Sequence, residues 1–276
     1  MMLNIGICQL QVSESKPENL NRAERLMRKA REGGADILVL PEMFNCPYDN
    51  RYFPVFAEEE QTGETVRFLA ETAASLQCYI VGGSIPERDG DRIYNASFIF
   101  DPKGQRIGKH RKLHLFDIDV PGRIAFKESA VFTPGSDLTV VDSMHGRFGV
   151  GICYDIRFPE YFRLLSDAGI QILFLPAAFN MVTGPAHWET LLRARAIDNQ
   201  IFVVAASPAR NLAASYVAYG HSMAIGPWGE ILWQAEAEET VQVVGIDLNR
   251  IAEVRQNMPL HQHRRKDLYR VEKVSK

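Results

Sequence analysis

The chain has 276 residues, 46% of them hydrophobic and 24% charged, enough apolar material for one large domain, or two halves sharing a core, without metal or disulfide staples. Lys+Arg 31 against Asp+Glu 34 gives a net charge of −3, with the signs mixed along the chain, so no electrostatic footprint for nucleic acid is present. No apolar run reaches the length of a membrane span, and the N-terminus lacks the basic and apolar segments of a secretory signal.

The first element is a short strand pattern, Ile5-Gly6-Ile7-Cys8-Gln9-Leu10. A helix signal follows, with Ser15 as N-cap, Pro17 in the first turn and Glu18 three residues after the cap. Leu20, Ala23, Met27 and Ala30 recur at helical spacing, and Gly33-Gly34 ends the helix. The run Ile37-Leu38-Val39-Leu40 then ends in Pro41-Glu42. Strand, helix and strand read as a βαβ unit with partly parallel pairing. An amphipathic helix is expected over 64–76, then the apolar segment Tyr79-Ile80-Val81-Gly82-Gly83-Ser84, and a hairpin from Ser97 to Gly108 turning at Asp101-Pro102-Lys103-Gly104.

The second half repeats this scheme. Val150-Gly151-Ile152-Cys153-Tyr154 matches the Ile5 strand nearly letter for letter, and a helix follows from about Pro159 to Ala168, closed by Gly169. Ile172-Leu173-Phe174-Leu175-Pro176 mirrors the Ile37 run. A helix over 186–199, the segment Phe202-Val203-Val204-Ala205-Ala206-Ser207 matching Tyr79 to Ser84, and a hairpin from Ser222 to Trp233, turning at Gly226-Pro227-Trp228-Gly229, complete the parallel. Each half supplies a sheet with helices on one face, and two such halves bury their bare faces against each other. The expected architecture is an α/β, four-layer α-β-β-α sandwich with internal pseudo-twofold duplication. No linker separates the halves, so residues 1–276 are expected to form a single domain.

Chemistry is sought where the duplication breaks. Cys8 and Cys153 occupy matching places, yet Cys153 leads into the polar turn Tyr154-Asp155-Ile156-Arg157-Phe158-Pro159-Glu160. Glu42 has Ala177 as its counterpart. Cys153 sits where a strand ends and a helix is about to begin, the rim at which open α/β sheets gather their sites. There a helix N-terminus and a lysine would lower a thiol pKa from roughly 8.5. The competing reading is a buried structural cysteine. Glu42, at the same rim, could take the thiol proton and later protonate a leaving amine, or simply cap a helix. Lys112, in Lys109-His110-Arg111-Lys112-Leu113-His114, could stabilise an oxyanion, or belong to a surface basic cluster.

The other three cysteines (Cys8, Cys46, Cys78) read as structural. All four lie far apart with no CxxC pair, the pattern of a reducing cytoplasm rather than a disulfide framework. The sequon Asn95-Ala96-Ser97 is then expected to be chance, because glycosylation requires export. His114, His187 and His221 are the plausible bases for a Cys–His pair, but none has a distinguishing local pattern. There is no HExxH and no close His/Cys set, so no metal ligand is assigned.

Together these residues resemble the nitrilase superfamily of carbon–nitrogen hydrolases over essentially the whole chain. Three segments carry the likeness: Leu40-Pro41-Glu42-Met43-Phe44, Arg111-Lys112-Leu113-His114-Leu115, and Gly151-Ile152-Cys153-Tyr154-Asp155-Ile156-Arg157-Phe158-Pro159-Glu160. The resemblance implies a Glu42–Lys112–Cys153 triad, a second glutamate at Glu128, an oxyanion contact from the backbone N–H of Tyr154, and dimers or larger homo-oligomers. It implies a small-molecule amide as substrate and no cofactor.

Within the superfamily the chain looks like the ω-amidase branch, which hydrolyses the terminal amide of 2-oxoglutaramate and 2-oxosuccinamate. Asn45-Cys46-Pro47-Tyr48, Leu115 to Gly122, Ala178 to Glu189 and Ala214-Ser215-Tyr216-Val217-Ala218 carry that likeness, with departures at Asp49-Asn50 and around His261. Such a substrate has a carboxylate remote from its amide, for which Arg157 is the candidate partner, with Asn180, Tyr48 and Thr183 as further pocket candidates. The alternatives are an N-carbamoyl amino-acid hydrolase or a deaminated-glutathione amidase. From another class, a metal-dependent phosphodiesterase can also use this sandwich and would need clustered Asp/His ligands.

Overall fold

Continuous apolar strands need cover on both faces, and the chain supplies it by stacking two sheets between two helical layers. A computed structural model describes residues 2–274; three outermost positions of the expected 1–276 domain lie outside it. The first sheet runs Thr240–Asp247, Met2–Gln9, Ile37–Val39, Tyr79–Val81, Arg92–Phe100, Ile85–Asp89, Glu58–Glu59, and Arg106–Arg111 also pairs with Arg92–Phe100. The second runs Val140–Ser143, Gly146–Val150, Ile172–Pro176, Phe202–Ala206, Met223–Ile225, Ile231–Gln234. The expected four-layer sandwich is the one found.

The period-2 rule sorts the strand residues into layers. Ile5, Ile7, Ile37, Val39, Phe148, Val150, Ile172, Phe174, Phe202 and Val204 form the core between the sheets. Their neighbours Leu38, Leu40, Cys8 and Ile80 face outward under Lys16–Glu32 and Glu64–Leu76. Leu173, Leu175, Val203 and Ala205 pack likewise under Pro159–Asp167 and Gly184–Asn199. Ser15 caps the first helix as expected, its hydroxyl accepting from Glu18 N–H at 3.4 Å. Both hairpins turn where the sequence places them, with Gly104 and Gly229 at φ +74° and +86°.

Two features depart from the sequence reading. Thr240–Asp247, from the far end of the chain, pairs antiparallel with Met2–Gln9 over eight positions. In the second sheet the equivalent place beside Gly146–Val150 belongs to the preceding strand, Val140–Ser143. The second departure concerns Val150 to Tyr154, which looks like a copy of the Ile5 strand. The strand ends at Val150, and Cys153–Arg157 form a turn of 3-10 helix. Cys8 therefore lies inside a ladder, whereas Cys153 stands outside one.

Candidate active site

Four segments meet at one rim of the sandwich. Glu42 follows the Ile37–Val39 strand, at a turn where Met43 has φ +51°. That turn is held by Ser84, whose hydroxyl accepts from Met43 N–H at 3.2 Å and whose N–H donates to Pro41 O at 3.1 Å. Gly83 makes the approach possible. At φ +58°, a Cβ there would lie 2.2 Å from Pro41 O. Lys112 follows the Arg106–Arg111 strand, its N–H donating to Asn95 O at 2.8 Å. Glu128 comes immediately after the small hairpin Asp117–Val120/Ile124–Lys127. Cys153 opens its 3-10 turn at φ +45°, a left-handed conformation costing an L-residue about 1–2 kcal/mol. Such a strand-to-helix turn presents a side chain clear of the sheet.

The four side chains are buried together. Lys112 Nζ lies 2.9 Å from Glu42 Oε1 and 2.8 Å from Glu128 Oε2. Glu128 also accepts from Phe116 N–H at 2.6 Å and from the Tyr48 hydroxyl at 3.4 Å. Glu42 Oε2 has no N–H or O–H donor among the described residues, and the Cys153 thiol interacts with this same carboxylate. A backbone hydrogen bond from Ala178 reaches Cys153.

Burial dominates the electrostatics. It pushes the Cys153 thiol well above its ordinary range, the Glu42 charge adds to this, and Lys112 only partly opposes them. The expectation of a lowered thiol pKa is therefore corrected: removal from water moves it up, not down. Burial also raises the Glu42 carboxyl; Lys112 pulls it down, Glu128 pushes it up, and the net is raised. For Lys112 burial favours loss of its proton, but the charges of Glu128 and Glu42 outweigh it and hold the ammonium charged. The result is one cation between two carboxylates beside the Cys153 thiol.

A cavity of about 500 Å³ opens over Glu42. Tyr48, Ala178, Tyr216, Arg51 and Ser215 are among its lining residues. Tyr48 is thus where a pocket residue should be, its ring 4.5 Å from that of Tyr216. Arg157, Asn180 and Thr183 are not in this lining. Arg157 lies against Tyr154 and Phe179, with Nη1 at 3.2 Å from His187 Nδ1, while its buried Nε has no partner among the described residues. Asn180 uses Oδ1 to accept from Val182 and Thr183 N–H groups, both at 2.9 Å. Thr183 sits at the N-terminus of Gly184–Asn199. Tyr154 occupies the first turn of the 3-10 helix, where N–H groups have no intrahelical acceptor.

Sequence reasoning passed over three residues. Asn95, read only as a chance sequon, is buried with Nδ2 at 2.8 Å from Glu42 Oε1 and 3.0 Å from Glu128 Oε1. Asp155 is buried and accepts from Ile152 N–H and His114 N–H, both at 2.9 Å, with His114 Nδ1 at 2.8 Å and His110 Nε2 at 3.2 Å. Tyr216 donates its hydroxyl to Ala178 O at 2.6 Å. The internal duplication could have flagged Asp155, which has no counterpart after Cys8, and Tyr216 lies in a segment that carries the branch likeness; Asn95 has no comparable signal. Among the described residues no group of His, Cys, Asp and Glu could hold a metal ion, and no helix is long and apolar enough to cross a membrane.

Known proteins with this fold and sequence define the class: the chain is a hydrolase acting on carbon–nitrogen bonds other than peptide bonds. It belongs to the carbon-nitrogen hydrolase family, which matches residues 4–256. The omega-amidase NIT2 of Bos taurus is 51% identical over 268 residues, covering 97% of each chain. That of Xenopus tropicalis is also 51% identical over 268 residues, with the same 97% coverage of both. Among solved structures, Saccharomyces cerevisiae Nit3, a member of branch 10 of the nitrilase superfamily, superposes with a TM-score of 0.89 at 40% identity, over 96% of this chain and 97% of that one.

Proposed function

We propose that the protein is an ω-amidase, which hydrolyses the terminal amide of 2-oxoglutaramate or 2-oxosuccinamate through a thioester on Cys153. The observation that carries this is the buried cluster in which Lys112 Nζ lies 2.9 Å from Glu42 Oε1 and 2.8 Å from Glu128 Oε2, with the Cys153 thiol against the Glu42 carboxylate. Identity of about half to the named omega-amidases along nearly the whole chain supports the substrate class.

Glu42 Oε2 takes the thiol proton as sulfur forms its bond to the amide carbon. A raised carboxyl and a raised thiol are matched for that transfer. The oxyanion is stabilised by Lys112 and the Tyr154 N–H. As the C–N bond breaks, Glu42 returns the proton to departing ammonia and the thioester remains. Water, deprotonated by Glu42, then attacks; the C–S bond breaks, the acid leaves and the thiol regains its proton. Glu128 orients Lys112. Dividing one hydrolysis into two acyl transfers lowers each barrier.

Arg157 is assigned to the remote carboxylate, with Tyr48 in the cavity wall and Asn180 and Thr183 on the segment that follows the lining residue Ala178. A buried donor with no partner among the described residues, Arg157 Nε, supports this. Arg157→Ala is expected to raise KM for 2-oxoglutaramate about tenfold or more, with kcat little changed. An unchanged KM would move the role to Arg51, the one cation among the residues lining the cavity.

The deciding experiment is ammonia release from 2-oxoglutaramate by wild-type and Cys153→Ala protein. Turnover lost in the variant, with its melting temperature retained, is the expected result; turnover that survives ends the mechanism. Faster release from carbamoylated amino acids or from deaminated glutathione would assign a different amidase. We further infer a single cooperative domain, a homo-oligomer and a cytoplasmic setting, the last from four free cysteines. One unfolding transition, and a sedimenting species larger than 276 residues, test the first two.

A further inference from the structure

The open oxygen of Glu42 requires an explanation, because a buried carboxylate normally has both oxygens satisfied. Its two oxygens are treated very differently. Oε1 receives Lys112 Nζ at 2.9 Å and Asn95 Nδ2 at 2.8 Å, whereas Oε2 has no N–H or O–H donor among the described residues. The second hydrogen of Asn95 Nδ2 goes to Glu128 Oε1 at 3.0 Å, so one amide group spans both carboxylates. The same residue holds Lys112 through its main chain, its carbonyl accepting the Lys112 N–H at 2.8 Å. The arrangement has a cost: Asn95 Oδ1 is buried with no partner among the described residues. Turning the amide over would relieve that orphan only by aiming oxygen at two carboxylates.

We infer that Asn95 is a positioning residue that fixes which oxygen of Glu42 takes the thiol proton. Saturating Oε1 with two donors leaves Oε2 as the one site open to a proton, on the carboxylate that interacts with the sulfur. Asn95 also steadies negative charge on Glu42, since a donor to a carboxylate favours its ionised form. The inference rests on the reading of Glu42 as the base. It goes beyond that reading by assigning a residue of neutral side chain to its control.

The charged and titratable groups that face Glu42 are Lys112, Glu128, Cys153, Tyr48 and Tyr216. Asn95→Leu and Asn95→Ala leave all of these in place and remove only the amide. The readout is the pH dependence of Cys153 alkylation by iodoacetamide, with Cys153→Ala as the blank for the other three thiols. Loss of the amide raises the pH at which the Glu42–Cys153 pair loses its proton. The alkylation curve is expected to move up by about one pH unit, a tenfold slower reaction on its acid limb. The acid limb of kcat/KM is expected to follow. A residue that merely fills space would lower the melting temperature without displacing either curve.

Glu42→Gln separates the two ideas. If it displaces the curve and the Asn95 variants do not, the Asn95 assignment is overturned alone. If Glu42→Gln leaves the curve in place, Glu42 is not the base and the proposed mechanism falls with it. Should Asn95→Leu and Asn95→Ala not fold, Asn95→Ser serves instead: an upward displacement supports the assignment and an unmoved curve overturns it.

Discussion

Lys112→Met is expected to lower kcat/KM by at least about 10³-fold and stability by about 3–5 kcal/mol. The side chain is of similar length and apolar, so little packing is lost and the effect is that of the charge. Lys112 is buried and is the cation within 2.9 Å of both Glu42 and Glu128. Without it two carboxylates face each other out of water, and at least one must bind a proton. A neutral Glu42 cannot accept from the thiol, and the oxyanion loses its cation, so two steps of the proposed reaction fail together. Chemical unfolding and steady-state ammonia release measure the two effects separately. Full stability in the variant would mean that the carboxylates already share a proton in the wild type. Retained turnover would remove Lys112 from the reaction.

Asp155→Asn is expected to cost about 2–4 kcal/mol and to lower kcat more than it raises KM. Asp155 touches no reacting atom. It joins the segment that carries Cys153, through Ile152 N–H, to the segment that carries Lys112, through His110 and His114. Four donors converge on two carboxylate oxygens, and an amide would present one of its own N–H groups to two of them. Burial works against the charged carboxyl, but hydrogen bonds from His110 and His114 outweigh it and hold the group well below the usual carboxylate range.

The sign follows from linkage. A folded-state pKa below the unfolded one contributes stability that is present above about pH 4 and is lost as pH falls towards the folded value. The stability gap between wild type and Asp155→Asn is therefore expected to be full at pH 7 and to narrow below about pH 4. Urea unfolding of both proteins at several pH values measures it. A gap independent of pH would show that packing, not charge, sets the cost.

The sandwich was legible because both of its periodicities are local. Strand alternation and helix spacing repeat in the two halves, and each half leaves one sheet face bare. The position of Glu42 and Cys153 at one rim was also readable, since both follow strands of the duplicated pattern; that Lys112 joins them was implied only by the family resemblance. What misled the reading was the same duplication taken too literally. Val150 to Tyr154 copies the Ile5 strand in letters. Yet Asp155 accepts from Ile152 N–H and the strand ends at Val150, while no such carboxylate follows Cys8. Pairing of Thr240–Asp247 with Met2–Gln9 was equally invisible, because no local pattern names a partner more than 200 residues away.

The sequence by itself determined the elements, their layers and the residue types of the site, because these follow from side-chain spacing along the chain. Only the tertiary structure decided the direction in which those residues' pKa values move and the oxygen of Glu42 left without an N–H donor among the described residues. Burial and the convergence of Lys112, Asn95 and Glu128 from separate segments set both. Proximity to a lysine argued for a thiolate in the sequence. Removal from water, which no linear pattern records, reversed that sign.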